Sequence, residues 1–189
     1  MTPGWRAIPC RPGTNAIDWP RGRPAGKERA MAVRKTLVVY YSRTGTTRKL
    51  AQAIADMLEC DAEEVVDTKD RAGVLGSIGG GKDASLGRLT AIGPVTKHPG
   101  DYELVLIGTP VWAWTMVPAV RTYISQHRDS LSAVAFFATA GGTGMQRTFR
   151  RMEELCGRKP CAVLGLVAGE VLKGDPTDRI KAFVEAVRA

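Results

Sequence analysis

The chain has 189 residues, enough for one domain with a substantial core, and carries 27 Lys/Arg against 19 Asp/Glu for a net charge of +8. That excess is concentrated at one end: residues 1–35 hold eight basic and two acidic side chains, whereas the remaining 154 hold 19 and 17. The folding part is therefore close to neutral, which argues against a nucleic-acid partner. The four cysteines (Cys10, Cys60, Cys156, Cys161) form no CxxC, and with only His98 and His127 besides, no metal site is expected. No apolar run approaches the ~18 residues of a membrane span, so the expectation is a soluble, cytoplasmic protein.

Residues 1–34 are rich in Pro, Gly and Arg and have neither helical nor strand periodicity. They read as a basic extension, disordered or loosely docked, with Met31 a candidate natural start. The domain is expected over residues 35–189. Its first strand is Thr36–Tyr41 (TLVVYY), an uninterrupted apolar run of the kind buried on both faces. A helix follows from about Thr47 to Glu59, with Leu50, Ala53, Ile54, Met57 and Leu58 on one face. A weaker second strand, near Ala62–Val66, suits a sheet edge.

The stretch from Arg71 to Gly93 contains seven glycines, which disfavour a continuous helix. It reads as a loop followed by a short helix near Ala84–Ile92, with a lid or partner-binding segment as the functional reading. The third strand is Leu104–Gly108, and a helix starting at Pro118 ends near His127. The fourth strand is Ala133–Thr139, followed by a helix over Met145–Cys156. The fifth strand is Ala162–Val167. Asp175 is expected to cap the last helix, with Pro176 at its first position and Asp178 in its first turn. Strands alternating with helices imply an α/β fold: a five-stranded parallel sheet, order 2-1-3-4-5, helices on both faces in three layers.

Three loops are chemically unusual, and in that order all three share the rim where such sheets bind ligands. The first, Ser42-Arg43-Thr44-Gly45-Thr46-Thr47, crowds four hydroxyls around one glycine at a helix start. A helix N-terminus offers unpaired N–H groups and partial positive charge, so a phosphate fits here; an ordinary Ser/Thr-rich cap is the alternative. Neither GxxxxGK[ST] nor GxGxxG is present, which points to a terminal monophosphate held without metal. The second loop, Thr109-Pro110-Val111-Trp112-Ala113-Trp114, presents two indoles on a Pro-stiffened turn. The third, Thr139-Ala140-Gly141-Gly142-Thr143-Gly144, offers backbone N–H groups that can approach a flat ring. Together they describe a pocket for a phosphorylated planar heterocycle.

These segments resemble the flavodoxin family. YYSRTGTTRKLA is similar to its phosphate signature, GTPVWAWTMVPAVRTYI to its second flavin loop and FFATAGGTG to its third, over Thr36–Ala189. The resemblance implies the short-chain flavodoxin-like fold and non-covalently bound FMN, with residues 42–47 on the phosphate and residues 109–114 and 139–144 flanking the ring. Trp112 is the first choice for stacking and Trp114 the second, either indole being alternatively a core residue. Two features depart from the family's electron carriers. The second loop lacks the glycine whose peptide flips towards one-electron-reduced flavin, a flip that at Ala113 would cost about 1 kcal/mol more. The domain is also not acidic. The expected function is flavin-based electron transfer without a catalytic acid–base residue, leaning towards NAD(P)H-dependent reduction of a quinone-like acceptor. The alternatives are a one-electron carrier and a non-redox binding or regulatory module. A receiver-type signalling domain would need acidic residues where Tyr40, Tyr41 and Ser42 stand. The partner is a redox donor or acceptor, and the chain is expected to be a monomer or homodimer.

Overall fold

Apolar strands in the sequence become a parallel sheet because their alternate residues feed two different cores. The computed structural model describes residues 34–68 and 89–189. The parallel strands are β1 (Thr36–Tyr40), β2 (Asp61–Glu64), β3 (Leu104–Trp112), β5 (Ala133–Ala140) and β6 (Val163–Val167). They lie in the order β2-β1-β3-β5-β6, and the two-residue β4 (Thr115–Met116) folds back antiparallel on the end of β3. Once β4 is set aside, this is the order expected from the alternation of elements.

On one face, Val38, Tyr40, Leu106 and Phe137 pack against α1 (Thr46–Leu58) and, through Ile180, Phe183 and Val184, against the last helix. On the other, Leu37, Val39, Val105, Ile107 and Phe136 meet Val120, Tyr123 and Ile124 of α2 (Pro118–His127) and Met152 and Cys156 of α3 (Met145–Cys156). The period-two split of Leu37/Val39 from Val38/Tyr40 explains why the run has no polar break. A short α4 (Ala168–Lys173) and the terminal α5 (Thr177–Arg188) complete the three layers.

The edge strand β2 (DAEE) has little apolar character and is held by polar clips. Arg48 forks onto both Glu64 oxygens at 2.8 and 2.9 Å, while Asp61 accepts from Lys97 Nζ (2.9 Å) and the Tyr102 hydroxyl (2.7 Å).

Several boundaries differ from the sequence reading. The third strand runs four residues beyond Gly108 because Pro110–Trp112 continue into the β4 hairpin. The helix expected near Ala84–Ile92 is not helical over its described residues, 89–92. There the Thr90 N–H donates to the Thr122 hydroxyl (3.0 Å), and that hydroxyl donates to the Thr90 carbonyl (2.9 Å). Ile92 bridges Asp67 instead. Those backbone groups are satisfied by neighbours rather than by a helical ladder. The rest of that segment and the extension at residues 1–33 lie outside the described residues. Asp175 does accept the Thr177 N–H (3.0 Å), but the helix proper begins one residue after Pro176. α4 was not expected: its Glu170 reaches back to the Val167 N–H at 2.8 Å to close the first turn.

Candidate functional site: a three-loop rim

The loops after β1, β3 and β5 meet pairwise at the carboxyl ends of the strands. In the first, Gly45 occupies the N-cap of α1 at φ 85°, a left-handed conformation that suits glycine, and a Cβ placed there would meet nothing within 4 Å. The cap receives no side-chain hydrogen bond and the first turn holds no acidic residue. Its first N–H groups and the positive end of the helix dipole are therefore not neutralised by a side chain of the cap or first turn. The Ser42 hydroxyl oxygen is buried without a hydrogen-bond partner among the described residues. Thr44 and Thr46 bring their hydroxyls within 3.4 Å of each other. A buried hydroxyl left unpaired is unfavourable, and an anion on the helix axis would satisfy it. The donor set thus fits a phosphate.

Thr47 behaves differently from the other three hydroxyl residues. It is 2 % exposed and its hydroxyl pairs inside the protein with that of Thr139, at 2.7 Å. This bond ties the helix behind the first loop to the strand that carries the third.

The second loop is a two-residue hairpin, with Val111 opposite Met116 and Trp112 opposite Thr115. The connecting residues Ala113 and Trp114 have φ of 46° and 58°, the φ signature of a type I′ turn that normally selects Asn and Gly. Each left-handed non-glycine residue stores roughly 1–2 kcal/mol. Trp112 is half-buried: the Tyr41 ring meets it edge-on at 5.9 Å, and the Arg43 guanidinium lies 5.1 Å from its ring centre. Trp114 is 58 % exposed. Thr109 is fully buried, accepting from the Val117 N–H (3.2 Å) and donating to the Pro110 carbonyl (2.9 Å), so its side chain braces the loop from below.

In the third loop Ala140 is buried, whereas Gly141, Gly142 and Thr143 are exposed, and the two glycines have open space where a side chain would be. Gly144 caps α3 at φ 104°, and a Cβ there would fall 2.8 Å from Trp114 Cδ1 and 3.2 Å from its Cα. Only glycine lets the third loop lie this close beneath the hairpin.

The expected residues are therefore brought together: loop one touches loop two through Arg43 and Trp112, loop two touches loop three through Trp114 and Gly144, and Thr47–Thr139 joins one to three. Sequence reading assigned Tyr41 to the strand alone, and nothing in local spacing could pair Thr47 with Thr139 across 92 positions. His98 lies before β3, at the opposite end of the sheet, and is exposed.

A doubly wound parallel sheet with an anion-suited helix start and an aromatic hairpin on one rim defines a flavodoxin-like protein. The flavodoxin family model matches residues 82–187, and the chain belongs to that family. The matched span contains the second and third loops, with the first lying upstream. No curated protein sequence matches the chain.

Among solved structures, a flavoprotein in complex with FMN from Lactobacillus acidophilus NCFM is 24% identical, covering 78% of this chain and 99% of its own, with a TM-score of 0.64. The apo form of the flavoprotein from the same organism is 26% identical over 70% of this chain and 91% of its own, TM-score 0.54. A WrbA-like flavodoxin protein from Agrobacterium tumefaciens is 16% identical over 82% and 94%, TM-score 0.53. Among the described residues no helix is long and apolar enough to cross a membrane.

Proposed function

We propose that residues 35–189 form an FMN-binding redox domain in which Ser42, Thr44, Gly45, Thr46 and the first N–H groups of α1 hold the phosphate. In this reading Arg43 and Thr47 support that loop, Trp112 and Trp114 supply the aromatic wall, and the backbone of residues 139–144 faces the ring from the other side. The bound flavin would supply the electron transfer; the chain binds it, orients it and limits its exposure to water. The observation that carries the reading is the unpaired buried Ser42 hydroxyl beside an uncapped helix start, on a rim closed by three pairwise loop contacts.

Two-electron exchange between a nicotinamide donor and a quinone-like acceptor is favoured over one-electron shuttling. The second loop contains no glycine, and both residues of its turn already sit in left-handed conformations fixed by pairing with β4. That leaves little freedom for a peptide to change with redox state.

The test is the visible spectrum of the purified full chain with and without added FMN, followed by titration of Ser42→Ala and Thr44→Val with FMN and riboflavin. Each variant is expected to weaken FMN by about tenfold, the worth of one charge-assisted hydrogen bond, and to leave riboflavin unchanged. Ser42→Ala should not lower the stability of the ligand-free chain, because it removes an unsatisfied group. Equal losses for FMN and riboflavin would refute the phosphate assignment, and a colourless chain that does not take up FMN would refute the function.

A further inference from the structure

Arg43 belongs to the first loop by sequence, but its side chain ends at the second. The preceding Ser42 hydroxyl is buried, and the Thr44 and Thr46 hydroxyls lie 3.4 Å apart. Arg43 itself is exposed, and its guanidinium carbon stands over the Trp112 ring, 5.1 Å from the ring centre. A cation in that position is attracted by the negative face of the indole, and a planar guanidinium adds a stacking contact that an ammonium lacks. Trp112 is half-buried, pairs with Thr115 of β4 and meets the Tyr41 ring at right angles, 5.9 Å between centres. The indole is thus held by its own hairpin, by a buried tyrosine and by an arginine reaching across from the neighbouring loop.

The α1 cradle has donors of its own in the Ser42, Thr44 and Thr46 hydroxyls and the uncapped first N–H groups of the helix. The placement of Arg43 matches the aromatic wall instead. We propose that Arg43 is a positioning residue for the flavin ring rather than a phosphate ligand: it braces Trp112 and holds one positive charge at the aromatic wall, which favours the reduced ring over the oxidised one. This deepens the flavin reading and rests on it. The charge effect follows from the balance of the reaction. A hydride from a nicotinamide donor brings two electrons and one proton to the neutral oxidised ring, so the reduced ring carries one negative charge until it takes a second proton from water. A nearby cation attracts that charge and has no comparable effect on the neutral form.

The experiment titrates the full chain with FMN and with riboflavin, then measures the two-electron potential of the FMN-loaded chain against a reference dye during reduction by dithionite. Arg43→Gln should weaken FMN and riboflavin by the same factor, about two- to fivefold, the worth of one exposed cation–π contact. It should also weaken the reduced flavin relative to the oxidised one by about three- to tenfold, a fall in potential of roughly 15–30 mV. Arg43→Lys, which keeps the charge and loses the planar contact, should hold the potential and recover only part of the affinity. In a Trp112→Leu background Arg43→Gln should no longer change riboflavin affinity, because the contact it removes is already gone. Lys159→Gln, in the exposed loop before β6 at the opposite end of the sheet, should change neither quantity. Circular dichroism shows whether each variant is folded.

The proposal is overturned if Arg43→Gln weakens FMN and leaves riboflavin unchanged, which would make Arg43 a counter-ion of the phosphate. It is also overturned if the potential of Arg43→Gln is unmoved or rises, or if the loss of riboflavin affinity is as large without the Trp112 indole as with it. In each of these cases flavin still binds, so the flavin reading stands while the role of Arg43 falls. A chain that takes up neither FMN nor riboflavin overturns both.

Discussion

Replacing Thr47 by valine separates the contact that joins the first and third loops from everything around it. The two hydroxyls are 2.7 Å apart, the residues are 2 % and 4 % exposed, and among the described residues neither hydroxyl has another hydrogen bond. Valine has the same shape, so Thr47→Val leaves no cavity; what it leaves is a Thr139 hydroxyl with no partner and no water. The penalty for an orphaned buried hydroxyl is about 1–3 kcal/mol. Thr139→Val should lose a similar amount. In the double variant neither group is stranded, and two apolar side chains of the right volume face each other, so the combined loss should be well below the sum of the singles. A coupling of about 1–2 kcal/mol is expected from the cycle. Urea unfolding monitored by tryptophan fluorescence measures it, and for a domain of this size each single variant should lower Tm by roughly 4–8 °C if it loses 2 kcal/mol. FMN titration of the same proteins then asks whether the tie positions the rim. Weaker FMN in the singles with partial recovery in the double would mean that it does. Additive single losses would refute the reasoning, because they would mean that the hydroxyls do not depend on each other.

Ala113→Gly removes a Cβ from a residue held at φ 46° and should raise stability by roughly 0.5–1 kcal/mol, relief of backbone strain outweighing the added freedom of the unfolded chain; a loss of stability in urea unfolding would mean the turn is unstrained. Burial pushes the Cys60 thiol up to about 11, with Asp61 adding to it, and burial pushes Cys156 up to about 12. At pH 8 Cys60 in the folded chain should therefore alkylate about two orders of magnitude more slowly than in urea, and mass-spectrometric rates equal in both states would contradict this. Because both folded values lie above the unfolded one, the stabilisation from these neutral thiols is complete below about pH 8.5 and is lost as pH rises towards 11 and 12.

What was readable in the sequence is what local periodicity encodes. β1, β3 and β5 appear as apolar runs because both of their faces are covered, and α3 begins and ends where its Gly144 and Gly157 caps stand. The hairpin was not readable. Trp112-Ala113-Trp114-Thr115 lacks the Asn-Gly or Asp-Gly that announces a two-residue turn, and the turn forms because β4 pairing and the Gly144 contact compensate its strain. β2 was displaced by a residue or two because Asp61, Glu63 and Glu64 are placed by partners 16 to 41 positions away rather than by burial. The contact of Arg121 with Thr115 had no local signal: a basic residue after Val120 on an amphipathic helix reads as solvated, and only the fold shows its Nε to be covered.

Residues in left-handed conformations without glycine persist only where their surroundings over-determine them, and the hairpin identifies the determinants. Thr115 is locked by burial and by Arg121, Val117 is anchored to the Thr109 hydroxyl, and Trp114 rests on a Gly144 that admits no side chain. Each of these constraints lies on a different element: α2, β3 and the third loop. Moving any one would change where Trp114 stands relative to the α1 cradle, since the third loop is itself tied to α1 through Thr139 and Thr47. The rim is thus one mechanical unit in which the phosphate grip, the aromatic hairpin and the glycine loop hold a common geometry.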